Sequence, residues 1–235
     1  MHRRLFLGGA ACLAVAGCSV DHVYAPDDVV SRTAYVHPGP KRVTLFTMIN
    51  NETGAGAHSS IMINASQRVV FDPAGSVRHP RMPERNDVLY GITPRIADVY
   101  ARAHARKTYH VVIQERVIPS DVAEAMFDSV RGIGPVYPAR CTLSISTMLG
   151  TQPGFESIPR TWFPKKLMES FAELPGVKTR TLRENDDADK SLALADFDQV
   201  VIFDVSDEIS AKATAEAGTA ASELDSAVRP VARTQ

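Results

Sequence analysis

The chain has 235 residues, of which 44% are hydrophobic and 23% are charged, and this composition excludes a disordered or collagen-like protein. Its 26 Lys and Arg residues almost balance its 27 Asp and Glu residues, so no global basic field favours nucleic acid, which we do not expect as a partner. Three cysteines in a chain of this length exclude a disulfide scaffold.

The first residues are typical of an export signal. Arg3 and Arg4 precede an apolar run over residues 5–16, which is too short to span a bilayer. The run ends in Val-Ala-Gly before Cys18 and so resembles the bacterial lipobox, which implies removal of residues 1–17 and lipid attachment at Cys18. This resemblance implies a cell-envelope protein anchored to a membrane, and Ser19 after the anchor favours the outer membrane, facing the periplasm. The alternative is an ordinary signal peptide followed by a chance cysteine.

The first half of the mature chain begins with a predicted tether. Residues 18–41 are rich in Asp and Pro and show little apolar periodicity, so we expect the folded domain to begin near Arg42. Patterns of β-branched and aromatic residues predict strands at 42–50, 59–64, 67–72 and 108–117, of which the second and third form a hairpin. Helical spacing of apolar residues predicts helices over 93–106 and from 120 or 121 to 132.

The second half continues with mixed elements. After an extended segment at 134–138, the pattern predicts helices at 141–149 and 161–174 and strands at 177–182 and 198–205. Residues 206–235 are dominated by Ala, Ser, Thr and Glu, which predicts a polar, disordered tail. Strands and helices alternate without the regular period of a doubly wound sheet, so we predict one α+β domain over residues 42–205.

Cys141 is the candidate nucleophile. Cys12 leaves with the export signal and Cys18 carries lipid, so Cys141 is the remaining thiol of the mature chain. At the start of a helix, a thiolate gains from the partial positive charge of free N–H groups, and an adjacent histidine lowers the thiol pKa further. The same N–H groups can bind the oxyanion of an acyl-transfer reaction. The alternative is a buried core cysteine.

His58 and Asp72 are the candidate partners of this thiol. His58 opens a strand after the glycine-rich loop 54–57. In the predicted hairpin, Asp72 lies near the positions opposite His58 and shares a strand face with Val70, and of these two residues only Asp72 can accept a hydrogen bond from the ring. The alternatives are a loop-edge histidine and a turn-capping aspartate.

Three segments carry a resemblance to a known family. GAHSSIMI around His58, VVFDPAG around Asp72 and ARCTLSISTML around Cys141 resemble, in this order, the circularly permuted papain-like fold of NlpC-type peptidases and lecithin:retinol acyltransferase-like proteins. The resemblance covers about residues 42–175 and implies an antiparallel sheet packed with helices, Cys141 as nucleophile, His58 as base and a polar third residue on the next strand. Arg140 stands where the family often has Asn or Phe. The acyltransferase branch commonly carries a second histidine where this chain has Val70 or Asp72, which favours a hydrolase-like triad or leaves the third position open.

The expected function is a membrane-anchored cysteine hydrolase of the cell envelope. By resemblance and compartment, its substrate is an amide bond of peptidoglycan stem peptides. The alternatives are a non-catalytic envelope-binding lipoprotein of the same fold and a lipid acyltransferase or lipase. We predict no cofactor and no metal, since His79, His104 and His110 lack ligand spacing and the chain has no phosphate loop or dinucleotide fingerprint.

One further segment carries aromatic and basic residues. Trp162-Phe163-Pro164 is followed by Lys165-Lys166. Such a segment can line a substrate groove or touch a membrane surface. We expect its two aromatic side chains to pack in the core.

Overall fold

The computed structural model of the chain describes residues 23–75, 77–189, 191 and 194–195. The predicted export signal, Cys18, the predicted strand at 198–205 and the tail at 206–235 lie outside the described residues.

The described residues form five helices and seven strands, so the predicted α+β class is confirmed. The helices are α1 (Asp27–Thr33), α2 (Pro94–His104), α3 (Ser120–Ile133), α4 (Cys141–Leu149) and α5 (Pro164–Ala172). The strands are β1 (Arg42–Asn50), β2 (Gly56–Asn64), β3 (Arg68–Phe71), β4 (Glu84–Arg85), β5 (Val88–Leu89), β6 (Tyr109–Val117) and β7 (Lys178–Leu182). Every helix in this part of the chain is too short or too polar to cross a bilayer.

The strands of the described residues form a single antiparallel sheet in the order β4-β5-β3-β2-β1-β6-β7. The predicted hairpin of β2 and β3 is confirmed, with Ile61 opposite Phe71 and Asn64 opposite Arg68. Because β3 ends at Phe71, the first half of β2 has no partner from β3. This open edge of β2 is where the candidate site lies.

Helices cover both faces of the sheet. Val43 and Leu45 of β1 pack in a core with α3, α4 and α5, whereas Phe46 and Met48 pack on the opposite face with α2. This division follows from the alternation of side chains along a strand. Strands buried on both faces explain why β1 is an almost continuous apolar run in the sequence.

The sequence predicts that the folded domain begins near Arg42, but in the structure the folded part begins earlier. Within the predicted tether, α1 buries Val30 in the core, and the carbonyl of Tyr35 accepts a hydrogen bond of 2.8 Å from the N–H of Arg68. A helix of seven residues with two aspartates and a single buried apolar side chain has too little periodicity for a sequence pattern. Contacts with the sheet, rather than local preference, hold this segment.

The hairpin of β4 and β5 was also not predicted. Its two-residue loop consists of Asn86 and Asp87, whose φ angles are +46° and +68°. Two successive residues with positive φ are the requirement of a type I′ turn, and Asn and Asp tolerate this conformation better than most residues. The turn places the Asp87 side chain against the segment that leads to Cys141.

Candidate active site

Cys141 is the first residue of α4, which covers the predicted residues 141–149. The helix start carries no side-chain cap among the described residues, so its first N–H groups retain their partial positive charge beside the thiol. Cys141 is nearly buried and forms no disulfide in the described part of the chain. The helix start favours the thiolate, whereas burial of the side chain opposes it.

The open edge of β2 receives the start of α4. The N–H of Ser59 donates a hydrogen bond to the Cys141 thiol. The hydroxyl of Thr142, the next residue of α4, donates to the Ser59 hydroxyl over 3.2 Å. Both bonds fix the thiol beside the residue that precedes Ser59, which is His58.

The structure brings all three predicted site residues together. His58 Nε2 lies 2.6 Å from Oδ1 of Asp72, and the Cys141 thiol is close enough to the His58 ring for each to shift the other's pKa. Since Asp72 occupies Nε2, Nδ1 is the ring nitrogen left for the thiol. One imidazole thus connects a buried carboxylate to a thiol at a helix start.

The charges of these groups shift one another's pKa values. Burial lowers the pKa of His58, but the hydrogen bond and charge of Asp72, together with Cys141, raise it to about 10. Burial raises the pKa of Cys141, whereas the hydrogen bond and charge of His58 and the N–H of Ser59 lower it to about 7. Between these two pH values the pair is a thiolate and an imidazolium, which is the reactive form of a cysteine nucleophile.

Asp72 is ionised in this arrangement. Burial raises the pKa of its carboxyl group, but the hydrogen bond and charge of His58 lower it below the usual value. The charge of His104 and a hydrogen bond from Tyr100 lower it further. Asp72 is therefore a buried anion held by partners on β2 and α2.

Tyr100 and His104 are site residues that sequence reasoning missed. The hydroxyl of the fully buried Tyr100 lies 2.6 Å from Ser60 Oγ, within hydrogen-bond distance, and also hydrogen-bonds Asp72. The His104 ring is stacked on His58 with 6.3 Å between ring centroids, and its Nδ1 lies 2.8 Å from the Tyr100 carbonyl oxygen. Ile96, Tyr100 and His104 recur every four residues on the inner face of α2, and this spacing is the signal that could have found them.

We predict that Tyr100→Phe lowers the free energy of unfolding by about 1–2 kcal/mol, because it leaves buried polar groups without a hydrogen bond. It should also raise the pH at which Cys141 reacts, since Asp72 loses a bond that favours its charge and so holds the imidazolium less strongly. Urea denaturation and thiol alkylation measure the two effects. Tyr24→Phe, at a residue with an exposed ring, is the control and should change neither. A purely structural Tyr100 would change stability alone.

The turn after Asp72 has no room for a side chain at Gly75. Its N–H donates to the Asp72 carbonyl over 2.9 Å, and Pro73 suits the second position of such a turn. A Cβ atom on Gly75 would lie 2.0 Å from Asp72 Oδ2. Asp87 supports the same turn, since its carboxylate accepts hydrogen bonds from the N–H of Ala74 and, over 2.7 Å, from that of Val136.

Two cavities lie near the site, and Cys141 is among the lining residues of neither. A groove of about 440 Å³ lies between α3 and the start of α4, and its walls are mainly apolar with two arginines, Arg140 and Arg160. This volume lies within the range of small-molecule sites. A second cavity of about 200 Å³ lies beside His58 and His104 and extends to the turn at Gly75. It gives the imidazole room for a leaving group or a water molecule.

The expectation that Trp162 and Phe163 pack in the core is wrong. Trp162 is 50% exposed and Phe163 is 71% exposed. The core below this segment is filled by Leu167 and Phe171 of α5 instead. The segment before α5 is held by Thr161, whose N–H donates to Ser146 Oγ of α4 over 3.0 Å, and this attachment leaves the two aromatic rings outside.

Comparison of the chain with protein-family models, curated proteins and solved structures gives no match. The resemblance to papain-like proteins therefore has no support from these comparisons. No group of three or more His, Cys, Asp and Glu side chains among the described residues is arranged to hold a metal ion. The geometry of Cys141, His58 and Asp72 is what supports a function.

Proposed function

We propose that this chain is a cysteine hydrolase in which Cys141 is the nucleophile, His58 is the general acid and base, and Asp72 orients His58. The observation that carries the proposal is the position of one imidazole, which is bonded to Asp72 through Nε2 at 2.6 Å and lies close enough to the thiol at the start of α4 to lower its pKa. This arrangement has the parts that covalent acyl transfer requires: a nucleophile, a base and a residue that orients the base. The permuted papain-like architecture is part of the same proposal.

In the first half of the reaction, the Cys141 thiolate attacks the carbonyl carbon of an amide or ester. A C–S bond forms, and the carbonyl π electrons move to the oxygen. The N–H of Cys141 at the start of α4 is placed to donate to this oxyanion. When the tetrahedral intermediate collapses, the C–N or C–O bond breaks, the imidazolium of His58 gives its proton to the leaving group, and a thioester remains.

In the second half, water hydrolyses the thioester. Neutral His58 removes a proton from the water, whose oxygen attacks the thioester carbon. The C–S bond then breaks, a carboxylic acid leaves, and the thiolate and imidazolium are restored. Asp72 keeps its charge throughout and stabilises the imidazolium that is present at the start and at the end.

The proposed substrate is an amide bond in peptidoglycan stem peptides, reached by an enzyme attached through Cys18 to the outer membrane and facing the periplasm. The lipobox-like sequence and the family resemblance support this choice. A lipid acyl hydrolase or acyltransferase is the second candidate. It is favoured by the apolar groove that begins next to Cys141.

The test is acylation of the full chain by p-nitrophenyl acetate, an activated ester, followed by mass spectrometry of the Cys141 peptide. We expect an acetyl group on Cys141 and rapid release of nitrophenol, both absent in Cys141→Ala. Incubation with peptidoglycan fragments and with phospholipid vesicles then separates the two candidate substrates. If Cys141 is not acetylated and Cys141→Ser retains full function in cells, the chain is a binding protein and the proposal is wrong.

A further inference from the structure

Four exposed apolar side chains lie on the segments that lead into α4, whose first residue is Cys141, and into α5. Ile133, Tyr137, Trp162 and Phe163 are exposed by 38%, 51%, 50% and 71%. Tyr137 and Ile133 line the groove beside α4, and Trp162 and Phe163 precede α5. We call these four residues, with the neighbouring basic residues Arg140, Arg160, Lys165 and Lys166, the entrance patch.

Trp162 and the residues of the patch that line the groove are joined through Arg140. The guanidinium of Arg140 lies 5.4 Å from the ring centre of Tyr137 and 5.9 Å from that of Trp162. Arg140 and Arg160 line the same groove as Tyr137. Since Cys141 directly follows Arg140, the patch borders the nucleophile itself.

The exposure of the two aromatic rings before α5 is built into the fold. Ser146 Oγ donates to the carbonyl of Thr161 over 3.1 Å and accepts from its N–H, and the N–H of Phe163 donates to Thr161 Oγ1 over 3.2 Å. These bonds fix the backbone on both sides of Trp162. Contiguous large apolar side chains held in water are typical of a surface that meets a partner.

The charge of the patch has one sign. Residues 134–144 and 157–168 contain four basic residues and no acidic one, in a chain whose charges almost balance. Among the described residues, no carboxylate forms an ion pair with Arg140, Arg160, Lys165 or Lys166. The chemistry that complements the patch is therefore an apolar surface that carries negative charge.

We propose that the entrance patch docks on an anionic phospholipid bilayer, with Trp162 and Phe163 entering the interface and the basic side chains meeting lipid phosphates. Aromatic rings beside Lys and Arg are typical of surfaces that lie in the bilayer interface. Protein interfaces are instead poor in lysine, which disfavours a protein partner for Lys165 and Lys166. Docking in this way brings Arg140, the residue before Cys141, to the lipid surface, whichever bond the site cleaves.

The single tryptophan of the chain makes the proposal directly testable. Because Trp162 is that residue, its fluorescence reports on the patch alone. The full chain carries Cys18→Ser, which prevents lipid attachment, and Cys141→Ala, which prevents turnover. It is mixed with vesicles of phosphatidylcholine alone or with added phosphatidylglycerol, and with lipids brominated on their acyl chains.

With anionic vesicles, we expect a blue shift of Trp162 emission and quenching of that emission by the brominated acyl chains. With phosphatidylcholine alone or at high salt, both effects should be at least tenfold smaller. An N-terminal segment that merely tethers the chain would leave Trp162 unquenched. Phe163→Ala combined with Lys165→Gln and Lys166→Gln should weaken vesicle binding by the patch at least tenfold. The matched controls are Val117→Ala, at another exposed apolar residue, and Lys178→Gln on β7, and neither should change the quenching.

Three results would overturn the proposal: unchanged Trp162 emission with anionic vesicles, equal losses in the control variants, or a blue shift produced by peptidoglycan fragments and not by vesicles. The last result would assign the patch to a saccharide or peptide substrate. Circular dichroism of each variant shows whether the fold is retained. Because Cys141→Ala is present throughout, the outcome is independent of the proposed hydrolase activity.

Discussion

Replacing His58 with alanine is expected to raise the pH at which Cys141 becomes reactive from about 7 to about 9 or above. The hydrogen bond and charge of His58 are the largest of the causes that lower the thiol pKa, ahead of Ser59 and Thr142, whereas burial of Cys141 raises it. Without the ring, burial is the largest remaining cause, and the thiol pKa rises to the ordinary value of a free cysteine or above it. Acylation by p-nitrophenyl acetate should also fall by about 10² or more at neutral pH, because thiolate and general acid are lost together.

The rate of iodoacetamide alkylation as a function of pH measures this shift. Cys12→Ser and Cys18→Ser in every variant leave Cys141 as the only thiol. The midpoint of the profile, rather than the rate at one pH, is compared, since a thiolate of higher pKa is also intrinsically more nucleophilic. His110→Ala is the matched control: His110 Nδ1 lies 2.7 Å from the side-chain oxygen of Asn51, and its loss should leave the midpoint near 7. A parent midpoint at or above about 8.5, the value of a free cysteine, would contradict the proposed pairing.

The positions of Cys141 and Asp72 were predictable because each depends on a local pattern. Cys141 stands between an extended Gly-Pro-rich segment and an apolar run that ends at Gly150, which marks a helix start. The position of Asp72 follows from the register of the β2–β3 hairpin. Ile61 pairs with Phe71, and this pairing brings the residue after Phe71, which is Asp72, toward His58. Both inferences need only neighbouring elements.

The support for the carboxylate was not predictable in the same way. Tyr100 and His104 reach Asp72 and His58 only because α2 packs on the face of the sheet that carries Phe46, whose ring lies 5.5 Å from that of Tyr100. A sequence pattern predicts that α2 has an apolar face but not which strands it covers. Histidines on separate elements therefore look scattered until the layers are assembled.

Trp162 and Phe163 show where average burial preferences fail. Aromatic residues are more often inside than outside, but only side chains with helical spacing, such as Leu167 and Phe171, can enter the core from α5. The two rings precede that helix, on a segment whose direction is set by the bonds between Thr161 and Ser146. A long-range hydrogen bond, rather than hydrophobicity, decides their exposure.

The site joins the two layers that cover the sheet. Cys141 belongs to the layer of α3, α4 and α5, whereas Asp72 is held by Tyr100 of α2 on the opposite face. His58 can bond to both because β3 ends before it and leaves the edge of β2 open. A longer β3 would close this edge, so the short strand is a structural requirement of the site.

Gly75→Ala is the second change with a large expected effect. The added Cβ atom would lie 2.0 Å, 2.2 Å and 2.6 Å from Oδ2, Cγ and Oδ1 of Asp72, so the carboxylate must move. Asp72 is buried, and a displacement of its carboxylate breaks the 2.6 Å contact with His58 Nε2. We expect acylation by p-nitrophenyl acetate to fall by about 10²-fold or more, in line with the loss of groups that orient a catalytic histidine. The alkylation midpoint of Cys141 should rise with it, because a displaced carboxylate no longer holds His58 as an imidazolium.

Gly132→Ala is the matched control, since the Cβ that it adds in α3 meets no atom within 4 Å apart from the neighbouring backbone of its own helix. It should leave acylation unchanged and stabilise the protein by up to about 1 kcal/mol through helix propensity. Asp72→Asn tests the same link without steric change: it keeps the shape of the side chain and removes the charge that raises the His58 pKa. If Gly75→Ala and Asp72→Asn both leave the Cys141 midpoint near 7, then Asp72 does not act on His58, and a group other than this carboxylate keeps the imidazole charged.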